Sequence, residues 1–317
     1  MIKKKILIVG LGLIGGSYAK ALTRFGYTVL AIDTDAEAIR YAKENGIIDE
    51  GATDADPKLI GEADCIIMAL YPKIITDWIR DNQKYFKSGI RITDVTGIKS
   101  AVVYDIQALL RPDAEFIAAH PMAGRELSGV AYSDDRIFRD ANFIVVPTDK
   151  NTPESIEWCE NLGRILGFNR VAVLTPEEHD EMIAFVSQLT HCIAVALMTC
   201  NDNEHLSDYT GDSFRDLTRI AHINEKMWSE LFFMNKEPLL REMNRFIDEL
   251  TEIRTLIEND DAEGLKEKMP EESSRRSFLK GIAIAGLPTL CNIVICMLVG
   301  YGFARYDFKG KKIRMGL

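Results

Sequence analysis

Short apolar runs recur through the first half of the chain. Each stops at a glycine, an acid, a histidine or a proline, and helical spacing fills most of the intervals. Lys5-Ile6-Leu7-Ile8-Val9 ends at Gly10, and Thr28-Val29-Leu30-Ala31-Ile32 ends at Asp33. Cys65-Ile66-Ile67-Met68-Ala69-Leu70 runs into Tyr71-Pro72, and Ile90-Arg91-Ile92-Thr93 leads to Asp94. Phe116-Ile117-Ala118-Ala119 leads to His120, and Phe143-Ile144-Val145-Val146 ends at Pro147. Unbroken apolar runs of this length predict strands buried on both faces. Helices are predicted from Ser17 to near Gly26, around 36–45 and around 74–85. Repeated strand–helix–strand units predict an α/β fold with a mostly parallel sheet covered on both faces.

The pattern changes near residue 175. Thr175-Pro176-Glu177-Glu178 reads as a helix start, with a cap, a proline at the first position and acids in the first turn. From there to about 268 the apolar spacing is helical, without convincing strands. Residues 281–304 are almost uncharged and apolar, with Arg275, Arg276 and Lys280 before them and Arg305 and Lys309 after. Their length fits a membrane span. Pro288, Asn292 and glycines 281, 286, 300 and 302 work against a continuous helix. A buried or dimer-packing tail and a membrane-contacting one stand as alternatives, and no role is assigned to 281–317. Ser274-Arg275-Arg276-Ser277-Phe278-Leu279-Lys280 resembles a twin-arginine export signal in the wrong place, since that signal belongs at an N-terminus.

A length of 317 residues suffices for two domains. The net charge of −10 repels nucleic acid and anionic lipid, so an anionic ligand needs a local positive contact. Cys65, Cys159, Cys192, Cys200, Cys291 and Cys296 form no CxxC pair, and neither a zinc site nor a redox dithiol is expected. Their apolar settings predict buried thiols in a reducing compartment, which with the lack of a signal-peptide pattern predicts a cytoplasmic protein.

Gly10-Leu11-Gly12-Leu13-Ile14-Gly15 is a GxGxxG loop with a strand before it, a helix after it and Asp33 at the end of the next strand. That setting predicts a Rossmann-type dinucleotide site. Gly10 allows the tight turn, Gly12 lets a pyrophosphate approach the backbone, and Gly15 lets helix and strand pack. The N–H groups around Leu13 and Ile14 face the phosphates. Asp33 suits a ribose diol and repels a 2′-phosphate, which favours NAD over NADP. Leu70-Tyr71-Pro72, at the same sheet edge, is placed to line the nicotinamide side. The fold expected is therefore a doubly wound Rossmann domain over 1–174, then an all-α domain over 175–280.

Two further strand ends point at the same crevice: Asp94-Val95-Thr96-Gly97-Ile98-Lys99 and His120-Pro121-Met122-Ala123-Gly124-Arg125-Glu126. Neutral His120 suits a base that takes the proton of an alcohol while hydride leaves its carbon.

These segments, together with Ser128 and Gly129, Gln188-Leu189-Thr190-His191, Phe214-Arg215-Asp216-Leu217-Thr218-Arg219-Ile220-Ala221 and Met227-Trp228, resemble the prephenate and arogenate dehydrogenases over about residues 5–280. The resemblance implies that His120 is the catalytic histidine acting on the ring hydroxyl of prephenate. Hydride passes to NAD and the ring carboxylate leaves as CO2. It implies that Arg219 grips a substrate carboxylate, as a bidentate guanidinium is suited to do. His191 becomes a substrate-pocket histidine, Trp228 a pocket aromatic near a dimer interface, and Asp216 an orienting acid. The second domain becomes a substrate and homodimerisation domain. The family often carries a serine where this chain has Gly97, so Thr96, or a water, is expected to supply the missing hydroxyl. Lys99 and Glu126 are expected in the pocket wall, and no regulatory domain is expected. From the residues alone, His191 also reads as a core histidine, Arg219 as an ion-pair partner of Asp216, and Trp228 as core. Arogenate as substrate, another two-domain hydroxy-acid or imino-acid dehydrogenase, and a non-catalytic NAD-binding sensor remain as alternatives. No pattern is legible for His179, His205 or His222.

Overall fold

The computed structural model describes residues 4–125 and 127–269. The apolar tail, the basic segment before it and Glu126 lie outside the described residues. The chain begins with alternating strands and helices: β1 Lys5–Val9, α1 Leu13–Arg24, β2 Thr28–Ile32, α2 Ala36–Glu44, β3 Glu50–Ala52 and α3 Pro57–Glu62. There follow β4 Cys65–Met68, α4 Pro72–Asn82, β5 Ile90–Asp94, α5 Ser100–Leu109, β6 Ala114–Phe116, β7 Ala118–Pro121, β8 Asn142–Val146, α6 Pro153–Leu166 and β9 Arg170–Val173. Helices then take over: α7 Pro176–Ile183, a π-helical stretch Ala184–Leu189, α8 Thr190–Thr199, α9 Leu206–Tyr209, α10 Asp212–Thr218, α11 Glu225–Met234, α12 Lys236–Glu258 and α13 Ala262–Lys268.

Strands β1 to β6 form one parallel sheet in the order β3-β2-β1-β4-β5-β6. The chain starts in the middle, winds outward, and restarts at β4. The switch point therefore lies between β1 and β4, where a ligand crevice opens at the carboxyl ends. The two faces of the sheet carry separate cores, one around Ile6, Ile8, Tyr18 and Phe143, the other around Leu7, Ile66, Ile92 and Phe116.

The run read as one strand over 116–119 is two. At Ile117 the chain leaves the parallel sheet, and β7 pairs antiparallel with β8 in a second sheet, β7-β8-β9. A continuous apolar run cannot mark such a break, because both halves stay buried. Strands β3 and β9 escaped the pattern for another reason: Glu50-Gly51-Ala52 has no apolar run, and Arg170–Val173 is partly exposed.

Helix α7 begins as expected at Thr175, whose side chain accepts from the Glu178 N–H while Glu178 returns a bond to the Thr175 N–H. Among the described residues one helix, Pro176–Thr199, is long and apolar enough to cross a membrane by length and composition. By contacts the chain divides into two compact units, at Asn244 and Arg245. In the second, Lys268 pairs with Glu249 at 2.7 Å and also with Glu252. The thiol expectation needs one correction: Cys65 and Cys159 are buried, but Cys200 is exposed because it follows α8 into a solvated loop.

Candidate active site

The glycine loop is built for a close-lying ligand on one side and for close packing on the other. Gly10 has φ +99°, and a Cβ there would sit 2.4 Å from the Ala69 carbonyl oxygen. A Cβ on Gly15 would lie 1.9 Å from the Gly10 carbonyl oxygen. On Gly12 it would meet nothing within 4 Å. Helix α1 starts directly after Gly12, earlier than the helical spacing indicated, with no side-chain cap and no acid in its first turn. Its leading N–H groups, at Leu13 and Ile14, are thus left for an external anion. One Asp33 oxygen accepts from the Leu11 N–H at 2.5 Å and the other from the Asp35 N–H at 2.8 Å. The carboxylate is held at the end of β2, facing the loop. These features fit the pyrophosphate and ribose of a dinucleotide. Leu70 and Tyr71 follow β4 on the adjoining edge, with Tyr71 49% exposed and Pro72 opening α4.

His120 stands at the end of β7, and a chain of contacts reaches back from it. Its Nδ1 lies 2.9 Å from Nε2 of His179, whose Nδ1 lies 2.8 Å from Oδ1 of Asp180. Asp180 also accepts from the backbone N–H of Lys99 at 2.9 Å and of Ser100 at 2.8 Å, so it caps the start of α5. Burial opposes ionisation of Asp180, yet its bonds to His179, Lys99 and Ser100 hold the carboxyl below its usual range. An ionised carboxylate only accepts, which makes His179 Nδ1 the donor and leaves His179 Nε2 as an acceptor. His120 Nδ1 must then carry its proton, and His120 Nε2 presents a lone pair. Burial, then His179, then Lys99 push His120 well below the ordinary histidine value, keeping it neutral. His179, fully buried, is lowered by burial while Asp180 pulls the other way.

Gly97 faces this lone pair. A Cβ there would lie 3.8 Å from His120 Nε2 and 3.9 Å from Leu231 Cδ1, so a space is bounded by Gly97, His120 and α11. Thr96 does not fill it. That threonine is 5% exposed, and its hydroxyl bonds to Asp94, with the Ile98 carbonyl at 2.9 Å and Lys99 Nζ at 3.1 Å. The expectation that Thr96 supplies the missing hydroxyl is corrected: its oxygen is already committed to the buried Asp94–Lys99 pair. Lys99 likewise is not pocket wall, being 0% exposed with Nζ 2.6 Å from Asp94 Oδ2.

The remaining expected residues lie on the helices. Asn235 donates to the Asp180 carbonyl and to Gln188 Oε1, both at 2.8 Å, and Gln188 donates to the Leu231 carbonyl at 3.1 Å. These bonds tie α11 to the π-helical stretch. One turn beyond, His191 and Trp228 stack with ring centroids 3.7 Å apart and planes at 29°. His191 Nδ1 donates to the Ser187 carbonyl at 2.8 Å. Both rings are half-buried. Arg219 lies exposed on a 3-10 turn, Arg219–Ala221, that packs on α8, the helix carrying His191. Asp216 is exposed on α10. Among the described residues no group of three or more His, Cys, Asp or Glu side chains could hold a metal.

Sequence reasoning missed His179 and Asp180. A signal existed, since Pro176, His179, Asp180 and Ile183 share the buried face of α7. A His–Asp pair at core spacing needs a polar partner.

A dinucleotide loop beside a neutral, relayed histidine defines an NAD(P)-type oxidoreductase. The family model for the prephenate dehydrogenase nucleotide-binding domain matches residues 18–168, and the model for the dimerization domain of the same enzymes matches 175–271. The chain belongs to the prephenate dehydrogenase family. It is 34% identical to a prephenate dehydrogenase of Bacillus subtilis over 83% of this chain and 72% of that protein. To the cyclohexadienyl dehydrogenase of Zymomonas mobilis it is 28% identical over 87% and 96%. The solved prephenate dehydrogenase from A. aeolicus, in complex with hydroxyphenyl propionate and NAD+, superposes with TM-score 0.80 at 30% identity, over 88% of this chain and 99% of that one.

Proposed function

We propose that the chain oxidises and decarboxylates prephenate, with NAD as hydride acceptor, to give 4-hydroxyphenylpyruvate. The observation that carries this reading is the free lone pair on His120 Nε2, facing the space beside Gly97 and backed by His179 and Asp180. NAD bound along Gly10–Gly15 and Asp33 supplies the hydride acceptor, with Leu70, Tyr71 and Pro72 on the nicotinamide side. His120 takes the proton of the ring hydroxyl at Nε2 as hydride leaves the carbinol carbon. The bond to the ring carboxylate then breaks, CO2 departs, its electron pair completes the aromatic ring, and the ring oxygen recovers its proton from His120 as the phenol. The His120 Nδ1–H, held by His179 Nε2, lets the positive charge spread toward Asp180. Without a serine at 97, the substrate hydroxyl meets His120 directly.

Arg219 clamps a carboxylate of the substrate, and the His191–Trp228 stack forms the wall of its pocket. Asp216 orients neighbours on α10. The work divides near 174/175, the first part holding the cofactor and 175–280 serving substrate and self-association. A homodimer is supported by the matched dimerization model and by exposed apolar side chains on and beside α7, among them Met182, Phe185 and Val186. A cytoplasmic location accords with the acidic charge of −10. The relative named cyclohexadienyl dehydrogenase keeps arogenate as a second substrate to be tried.

The test is cofactor reduction by the purified chain with prephenate and with arogenate, each with NAD and with NADP. Turnover of prephenate with NAD, abolished in His120→Asn, is expected. Reduction with neither substrate, by folded protein that binds NAD, would favour a cofactor sensor instead.

A further inference from the structure

Lys99 and Asp94 form an ion pair with no solvent exposure at the carboxyl edge of the sheet, and the proton chain from His120 to Asp180 does not include either side chain. Burying two charges is unfavourable unless every donor and acceptor is used. Here they are. Lys99 Nζ donates to Asp94 Oδ2 at 2.6 Å, to Thr96 Oγ1 at 3.1 Å and to the Ala119 carbonyl at 2.6 Å, which exhausts its donors. Asp94 Oδ2 further accepts from the Thr96 N–H at 3.0 Å, and Asp94 Oδ1 accepts from the Ala119 N–H at 3.0 Å.

Both backbone groups of Ala119 are therefore held by this one pair, and Ala119 precedes His120. The location explains the need. The last parallel main-chain bond before the break is from the Ile117 N–H to the Ile92 carbonyl, at 2.9 Å. Beyond it β7 is the edge strand of the second sheet, with β8 on one side only. On the open side, the side chains of Asp94 and Lys99 stand in for a neighbouring strand.

We infer that Lys99, paired with Asp94, is a positioning residue for the reaction: it clamps the Ala119 peptide groups and so aims the His120 imidazole. The inference rests on the prephenate-oxidising role proposed for His120. Burial lowers the Lys99 pKa while the Asp94 carboxylate favours the charged form, and the ammonium so held repels a proton on the imidazole. The charged or titratable groups bearing on His120 are His179 with Asp180 behind it, on α7, and Lys99 with its partner Asp94, on β5 and the loop after it. Of the two members, Lys99 is the one whose charge disfavours protonated His120, so removing the pair removes a net repulsion and the base should protonate at higher pH.

The double variant Asp94→Asn/Lys99→Met leaves no buried charge unpaired, and is compared with wild type and Lys99→Met. Wild-type turnover is read first, since its absence with both substrates would overturn the functional proposal and, with it, the inference that rests on it, whereas the outcomes below bear on the inference alone. Given wild-type turnover, the double variant is expected to keep its NAD affinity. Its kcat should fall on the order of tenfold to 100-fold, as for a misaimed base. The acid limb of its kcat profile should move to higher pH. A double variant with wild-type kcat, or with reduced kcat and an unmoved acid limb, overturns the inference. So does one whose loss of kcat is matched by loss of NAD binding. Lys99→Met, which leaves Asp94 unpaired, is expected to be no more active than the double variant, and higher activity would also count against the clamp.

Discussion

Nδ1 of His120 and Nε2 of His179 lie 2.9 Å apart, and the Asp180 carboxylate behind His179 fixes which ring carries the shared proton. His179 thus holds His120 in the tautomer whose Nε2 can accept. Replacing His179 by Ala should lower kcat about 100-fold with little change in KM for NAD, as expected for a displaced base. Steady-state kinetics with NAD varied at saturating substrate measures both constants. An unchanged kcat would mean that the second histidine is scaffold alone.

The same pair makes stability depend on pH with a definite sign. Both rings titrate below the ordinary histidine value of 6.5 in the folded chain, each mainly through burial. Their stabilising contribution is therefore complete above about pH 6.5 and is lost as pH falls through the lowered values, where only the unfolded state takes up protons readily. Thermal unfolding followed from about pH 7.5 to pH 5 should show a falling midpoint. His179→Gln should flatten that slope, and an equal slope in the variant would assign the loss to other groups.

Gly12 and Gly15 of the cofactor loop should separate cleanly by mutation. Gly12→Ala adds a methyl where nothing lies within 4 Å. Stability without cofactor should stay within about 0.5 kcal/mol, while NAD affinity drops roughly tenfold. Gly15→Ala forces a carbon against the Gly10 carbonyl and should destabilise by about 1–3 kcal/mol or more. Calorimetric titration and chemical denaturation on the same samples tell the two effects apart. A Gly12→Ala variant that binds NAD as wild type does would move the pyrophosphate elsewhere.

Asp33 bears on cofactor choice. Asp33→Ser should narrow the preference for NAD over NADP, because the carboxylate that repels a 2′-phosphate is gone. Comparing kcat/KM for the two cofactors reads this directly, and an unaltered ratio would show that the ribose lies away from residue 33. Some general loss is expected as well, since Leu11 gives up its bond to the carboxylate.

Arg219→Lys tests the substrate clamp. A lysine keeps the charge and loses the planar fork, so KM for prephenate should rise about tenfold with kcat less affected. A variant with wild-type KM would leave Arg219 outside the pocket.

The parallel sheet and the cofactor loop were legible because each is written locally. A buried strand shows as an apolar run, and a pyrophosphate turn shows as glycines at fixed spacing. His120 was legible for the same reason, as the residue where a run stops. What stayed hidden depends on contacts across long stretches of chain. Asp180 and Lys99 are 81 residues apart, and their bond leaves no trace in either local pattern. Ile117 gave no sign of the break between two sheets, because its neighbours are apolar on both sides. Thr96 had the right chemistry to replace a serine, and only its bonds to Asp94 and Lys99 reveal that its oxygen is taken.

Asp180 completes the electrostatics behind His179 and also receives the first two peptide hydrogens leading into α5. That double duty makes it an interlock. If α7 were drawn back by a single bond length, α5 would lose its cap and the two histidines their ground in the same movement. His120 keeps its proposed accepting tautomer only while that helix is seated against α5.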